Sequence, residues 1–60
     1  MHGRRTFERG DKVRILDGPH RGFEGVIDEA ASAEERLHVL IPVYGRHTRL
    51  ELAYGQVRPL

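Results

Sequence analysis

The chain has 60 residues, no cysteine and a formal net charge of +1 at pH 7. A chain of this length buries only about 60% of its unfolded surface, so it forms one small domain without a catalytic cleft between lobes. The lack of cysteine excludes a disulfide framework and a thiolate metal site. Because the sequence contains neither a membrane-spanning apolar run nor a signal peptide, we expect a cytoplasmic protein with no membrane partner.

The charged residues are unevenly distributed along the chain. Residues 1–10 carry three arginines and one glutamate, whereas residues 24–35 carry five acidic residues and no basic one. A generic nucleic-acid-binding domain normally has a stronger basic excess. The charge pattern therefore argues against a generic nucleic-acid binder.

A short strand is the first predicted element, after a flexible lead-in at residues 1–6. Charged and apolar side chains alternate over Lys12–Leu16, which is the pattern of a half-buried strand. Gly18 and Pro19 then predict a turn, because glycine tolerates positive φ and proline cannot donate to a strand ladder.

A second strand is predicted over Phe23–Ala30. Gly22 and Gly25 flank its first aromatic residue, which indicates a tight bend or a backbone approach too close for a side chain. Val26 and Ile27 are adjacent apolar residues, and a β-bulge in a strongly bent strand would explain this break in alternation.

The segment between the second and third predicted strands is polar. We interpret residues 31–36 as a loop. Residues 28–37 also contain several helix formers, but a helix there would leave the apolar residues on either side without strand partners. We therefore favour strand, loop and strand over a helix.

The clearest pattern is a hairpin formed by two alternating segments. Gly45 and Arg46 fit a two-residue type II′ turn, which has glycine at its first central position. That turn predicts a register in which Tyr44 faces His47, Val43 faces Thr48, Ile41 faces Leu50 and Val39 faces Leu52. The inward side chains then meet one another, and a slip of one residue would turn them all to solvent.

The same register arranges the outer face of the hairpin. It pairs Pro42 with Arg49 and Leu40 with Glu51, and it places His38 opposite Ala53. Pro42 has no N–H, so we expect it at an edge or at a position that makes no ladder bond.

The chain closes with a tight turn and a short strand. Residues 53–55 predict the turn, and Gln56–Leu60 predicts the strand. Five short strands without a secure helix favour an all-β fold, a small five-stranded antiparallel barrel that leaves few free edges.

Residues 7–60 resemble the C-terminal KOW domain of the bacterial NusG family. The similarity rests on the segments Gly10–Pro19 and Phe23–Val26, and it continues in order through Arg36–Val39, Val43–Arg46 and Leu50–Leu52 to Gln56 and Val57. The resemblance implies an SH3-like five-stranded barrel, the KOW domain, that binds partners and catalyses no reaction. In some relatives this domain refolds into helices, and residues 28–37 leave that alternative open.

The partners implied by the resemblance are proteins of gene expression. They are a small-subunit ribosomal protein, which couples transcription to translation or supports antitermination, and the termination factor Rho. RNA polymerase would be contacted through an N-terminal domain outside this sequence, and we expect the domain itself to be a monomer.

The expected partner-binding residues are His20, Phe23, Val43, Tyr44, Arg46 and Arg49, with turns supported by Gly18, Pro19, Gly22, Gly25 and Gly45. An exposed aromatic ring and a guanidinium on a rigid turn are typical anchors of protein interfaces. Relatives usually carry an aromatic residue in place of His20 and a small residue or proline in place of Arg49.

Other functions find less support in the sequence. The four histidines lack the spacing of a metal site, and Ser32 has no base near it in sequence, so we expect no metal, cofactor or catalytic residue. The remaining alternative is an RNA-contacting KOW domain of the ribosomal-protein type. It would use the arginines Arg4, Arg5, Arg9, Arg14 and Arg21, and its affinity would fall steeply with salt.

Overall fold

The computed structural model describes residues 7–60, so the lead-in predicted at residues 1–6 lies outside the described residues. Its strands are β1 (Lys12–Ile15), β2 (Glu24–Ala31), β3 (Arg36–Val43), β4 (Arg46–Ala53) and β5 (Val57–Pro59), with a 3₁₀ turn at Tyr54–Gln56. They form one antiparallel sheet in the order β4-β3-β2-β1-β5. The predicted five-stranded all-β fold is confirmed, with strand ends that differ from the prediction by one or two residues.

The inner face of the sheet carries a compact apolar core. Alternate residues of β1, β2 and β3 point inward, as the period of a strand requires. Six core side chains are at most 1% exposed: Val13, Ile15, Ile27, Leu37, Val39 and Ile41. Leu50 and Leu52 of β4 pack against this core from the side and are only partly buried.

The N-terminal part of the described chain is anchored by Phe7. Its ring is 5% exposed and meets the ring of Tyr54 edge to face, with 4.9 Å between the ring centroids. The chain then runs beside β2, where the N–H of Gly10 donates to the carbonyl of Ile27 at 2.8 Å. Phe7 therefore enters the core near the C-terminal end of β2.

Gly25 confirms the close approach expected of its segment. A Cβ added there would lie 2.5 Å from the backbone oxygen of Leu40 and 2.7 Å from side-chain carbons of Val39 and Ile41. Real Cβ atoms essentially never lie within 3.0 Å of such neighbours, so a side chain at this position would force β2 and β3 apart. Gly18 and Gly22 satisfy a different need, because both adopt positive φ in the β1–β2 connection.

The predicted β-bulge exists, but one residue later than the apolar pair that suggested it. The β2–β3 register shifts between Ile27 and Glu29, so Asp28 is the extra residue. Val26 and Ile27 obey simple alternation: Ile27 is buried, whereas Val26 lies on the outer face at 39% exposure. The apolar pair therefore reflects an exposed valine rather than a distorted strand.

The predicted hairpin register is wrong by two residues. The observed pairs are Val43 with Arg46, Ile41 with Thr48, Val39 with Leu50 and Leu37 with Leu52. The two central turn residues are Tyr44 and Gly45, with φ of 53° and 76°, so the turn has the positive angles of type I′ rather than type II′. Because the shift is an even number of residues, every side chain keeps its predicted face.

The outer-face pairs change with the register. Pro42 lies opposite His47, Leu40 opposite Arg49 and His38 opposite Glu51. The pairs predicted for Pro42, Leu40 and His38 are therefore wrong. Pro42 was expected at a position that makes no ladder bond, and the pairing agrees with this. The β2–β3 pairs begin at Val26 and Leu40, so the sheet requires no N–H from the proline.

The helix-forming segment at residues 28–37 is not helical. β2 runs to Ala31, a turn covers residues 32–35, and β3 starts at Arg36. Glu35 closes this turn with φ of 54°, and its carbonyl accepts a hydrogen bond from the N–H of Tyr54 at 3.0 Å. Strand pairing on both sides of the turn has overridden the local helix propensity.

Candidate protein-docking surface

The β1–β2 connection and the β3–β4 turn lie at the same end of the sheet. Val26 is paired with Leu40, and continuing this antiparallel register by two residues places Glu24 beside Pro42. Glu24, Pro42 and His47 accordingly line one shallow cavity of about 340 Å³. The predicted site residues from the two connections are thus brought to one end, which we call the docking end: His20–Phe23 and Val43–Arg46.

Tyr44 is the most prominent side chain of the docking end. It is 99% exposed, the most of any large hydrophobic residue that the structure describes. Its backbone lies in the left-handed region with φ of 53°, which costs a side chain with a Cβ about 1–2 kcal/mol. The type I′ turn requires this positive φ, but the tyrosine side chain itself buries nothing, and strained residues of this kind are concentrated at functional sites.

The aromatic residues of the β1–β2 connection form a second part of the docking end. The rings of His20 and Phe23 meet edge to face, with centroids 5.8 Å apart and planes at 90°. Phe23 remains 40% exposed, and its N–H is held by the carbonyl of His20 at 3.0 Å. The imidazole therefore supports an apolar ring that stays available to a partner.

Val43 and Arg46 flank the Tyr44–Gly45 turn. Val43 is partly buried against the core, so it fixes the base of the turn rather than offering much free surface. Arg46 is exposed, and it belongs to none of the ion pairs formed within residues 7–60. The Tyr44–Gly45 turn therefore carries two exposed side chains, the phenol of Tyr44 and the guanidinium of Arg46.

Arg49 has a structural role that its predicted place on the docking surface did not suggest. Its Nε donates to Asp28 Oδ2 at 3.1 Å, and its second guanidinium nitrogen donates to Glu29 Oε1 at 3.0 Å. Arg49 lies on β4 and both carboxylates lie on β2, so the side chain spans the width of β3. His38 of β3 adds a contact of 3.5 Å between Nδ1 and the same Glu29 oxygen.

A groove separates β4 from the β1–β2 connection. It holds about 230 Å³ and is lined by residues of β4, the connection and the 3₁₀ turn, among them Pro19, His20, Leu50 and Leu52. Its walls are mostly apolar, and it opens beside the docking end. The groove therefore continues from His20 of the docking end along Leu50 and Leu52 of β4.

Nothing in residues 7–60 gathers three or more histidine, cysteine or acidic side chains into a site for a metal ion. His38 and His47 are not opposite one another, and His38 instead faces Glu51. No helix in this described part of the chain is long and apolar enough to span a membrane.

Two features of this surface were missed by sequence reasoning. The acidic partners of Arg49 lie about twenty positions away in sequence, and only the bulge at Asp28 brings two consecutive carboxylates within its reach. The strain at Tyr44 was missed because glycine, the residue best suited to positive φ, was assigned to the first turn position rather than the second. The Tyr-Gly dipeptide itself was the available signal.

Comparisons with known proteins agree with this fold. Residues 9–39 match the family model of the KOW motif. The chain is 39% identical over 54 residues to a transcription termination/antitermination protein NusG of Liberibacter asiaticus, covering 90% of this chain and 77% of that protein. It is 43% identical over 54 residues to the NusG of Vibrio cholerae, covering 30% of that protein.

Solved structures give the same result. A structure described as domain interaction in Thermotoga maritima NusG superposes with a TM-score of 0.82 at 34% identity, covering 92% of this chain and 31% of that one. A crystal structure of the MjSpt4:Spt5 complex gives a TM-score of 0.83 at 18% identity, which supports the fold alone. The chain spans 28–30% of the length of the NusG proteins of Xylella fastidiosa, Vibrio cholerae and Pseudomonas aeruginosa.

Proposed function

The chain belongs to the NusG family of transcription termination/antitermination proteins, and on that premise we propose that it is a non-catalytic docking module that recruits a protein partner through its docking end. The observation that carries the proposal is Tyr44, fully exposed in a strained backbone conformation beside the accessible Arg46. Aromatic and arginine side chains are the residue types most enriched among the energetic anchors of protein interfaces.

The partners that we propose are a small-subunit ribosomal protein, Rho, or both. Binding to the first would couple transcription to translation or support antitermination, and binding to the second would support termination. RNA polymerase would be reached through a separate domain. The partly polar docking end, with one imidazole beside an exposed ring, suits a moderate and exchangeable interaction rather than an obligate one.

An NMR titration tests this proposal directly. The ¹⁵N-labelled chain is titrated with the small-subunit ribosomal protein and, separately, with Rho. We expect shift changes confined to residues 18–24 and 42–49 with at least one partner. Absence of binding to both, or shifts centred on the outer faces of β1 and β5, would contradict the proposal.

Variants at the docking end separate binding from folding. Tyr44→Ala and Arg46→Glu should abolish partner binding and leave the dispersion of the amide spectrum unchanged, because neither side chain belongs to the core. Arg58→Glu, on the exposed part of β5, serves as the matched charge control and should bind normally. Collapse of the spectrum in Tyr44→Ala would show that this residue is structural.

An RNA-contacting role is the second candidate and is less well supported. Of the arginines expected to contact RNA, Arg14 forms an ion pair with Glu24, so its guanidinium is partly neutralised. Arg4 and Arg5, also expected to contact RNA, lie outside the described residues. Tight RNA binding with a steep loss of affinity between low and physiological salt would favour this candidate over protein docking.

A further inference from the structure

β4 forms an edge of the sheet and offers unpaired backbone groups. Within the sheet that residues 7–60 form, β4 pairs with β3 alone. Val43 and Arg46 close a two-residue turn and are therefore a hydrogen-bonded pair, and such pairs recur at every second residue of an antiparallel ladder. Thr48 and Leu50 accordingly bond to β3, whereas His47, Arg49 and Glu51 direct their N–H and C=O groups toward the open side.

A hydrogen bond at the end of β4 supports this assignment. The backbone N–H of Ala53 points to the same side of β4 as that of Glu51, two residues earlier. It donates at 2.8 Å to the side-chain oxygen of Gln56 instead of to β3. Gln56 thus occupies the outward position at Ala53. Among residues 7–60, no hydrogen bond of this kind involves the outward groups of His47, Arg49 and Glu51, and an unpaired edge is a template for another strand.

From this edge, and in contrast to the monomer expected from the sequence, we propose that a second copy of the chain pairs with β4, antiparallel and across a two-fold axis at Leu50. In this arrangement Arg49 of each copy lies opposite Glu51 of the other, and the two Leu50 residues face each other. The Arg49–Glu51 pairs are hydrogen-bonded pairs, which agrees with the outward direction of both backbones. The inference does not depend on the proposed docking function.

Charge selects this register over its neighbours. An axis at Arg49 would place two arginines directly opposite each other, and an axis at Glu51 would do the same with two glutamates. Like charges in directly opposite positions destabilise a strand pair, whereas opposite charges stabilise it. Only the axis at Leu50 gives two pairs of opposite charge and no repulsion among these three registers.

The ion pairs within each copy leave room for the contact. The side chain of Arg49 is 48% exposed while it holds Asp28 and Glu29, and the side chain of Glu51 is 57% exposed at 3.9 Å from Arg36. The backbone supplies the new bonds, about four across the axis, and the charges set the register. So few bonds predict a weak dimer, with a Kd between about 0.1 and 1 mM.

The test uses the 60-residue chain at increasing concentration. Between about 20 µM and about 1 mM, we expect the amide signals of residues 47–51 to shift and sedimentation to show a growing dimer fraction. A mixture of labelled and unlabelled chains should give an intermolecular contact between the α-protons of the two Leu50 residues, which are close in a non-hydrogen-bonded pair. A spectrum independent of concentration, or shifts centred on Tyr44 and Phe23, would overturn the proposal.

Two variants at one position isolate the backbone contribution. Arg49→Pro removes the outward N–H without removing a bond to β3, and Arg49→Gln loses the same charge but keeps that N–H. We expect Arg49→Pro to remain monomeric at about 1 mM and Arg49→Gln to dimerise with an affinity lowered less than about tenfold. If Arg49→Pro dimerises like the original chain, the edge is not the interface. If it fails to fold, the Leu50 contact in the unaltered chain decides the question.

Discussion

Arg49 on β4 and Asp28 on β2 are joined across the whole width of β3 by a hydrogen bond of 3.1 Å. The bond depends on the bulge, because Asp28 is the residue that the bulge inserts and Glu29 follows it toward the same guanidinium. These side-chain bonds connect β4 to β2 on the outer face of the sheet. They add to the backbone hydrogen bonds that join each of the two strands to β3.

This cross-strand contact should stabilise the domain only modestly. Arg49→Gln is expected to lower the free energy of unfolding by at most about 1 kcal/mol, since the guanidinium is half exposed and screened by water. Thermal unfolding at low and high salt checks this, and the difference should vanish at high salt. Arg58→Gln is the control, and an equal loss there would show that general charge, not this contact, is responsible.

Replacement of a core side chain should be far more costly. Ile41 is fully buried, so Ile41→Ala removes apolar contacts and leaves a cavity, at a cost of about 2–5 kcal/mol. Such a loss is a large part of the total stability of so small a domain. Urea unfolding measures it, with Leu60→Ala at an exposed position as the control. A similarly small effect of both variants would contradict the core described above.

Gly25→Ala tests the close contact between β2 and β3 at Gly25. The new methyl group would meet the carbonyl of Leu40 at 2.5 Å, and backbone cannot move aside cheaply, so we expect a loss of about 1–3 kcal/mol. Gly55→Ala is a matched control, because a Cβ at Gly55 meets nothing within 4 Å. Equal midpoints of urea unfolding for the two variants would show that a Cβ at Gly25 has more room than the structure indicates.

Tyr44→Asn should stabilise the domain and weaken its docking. Asn-Gly is the preferred sequence of a type I′ turn, so relief of the left-handed strain is expected to add about 1 kcal/mol to the free energy of unfolding. The melting temperature should rise while affinity for the ribosomal protein or Rho falls. A lower melting temperature would mean that the tyrosine ring contributes packing that its 99% exposure does not suggest.

Most of the fold could be predicted because alternation of apolar residues is a local property. The inner face of β3 was predicted from the alternation of Leu37, Val39 and Ile41, and that face is buried in the structure. The register could not be predicted equally well, because it depends on which two residues form the turn. Tyrosine in a left-handed conformation is locally unfavourable, and the tertiary structure imposes it here.

The candidate site divides in the same way. Placement of Phe23 and Tyr44 at one end follows from strand order and direction, which the sequence pattern indicates. The capture of Arg49 by Asp28 and Glu29 does not, because a one-residue bulge decides which way two carboxylates point. A contact between residues about twenty positions apart has no signature in composition or periodicity.

The insertion of Phe7 beside Tyr54 sets the direction from which any preceding segment must approach. That aromatic pair lies near the C-terminal end of β2, and the Tyr44 turn lies beyond the N-terminal end of the same strand. A segment that precedes Phe7 would therefore join the domain at the end opposite the docking end. The docking end would then face away from that segment, and a partner could occupy it without steric interference.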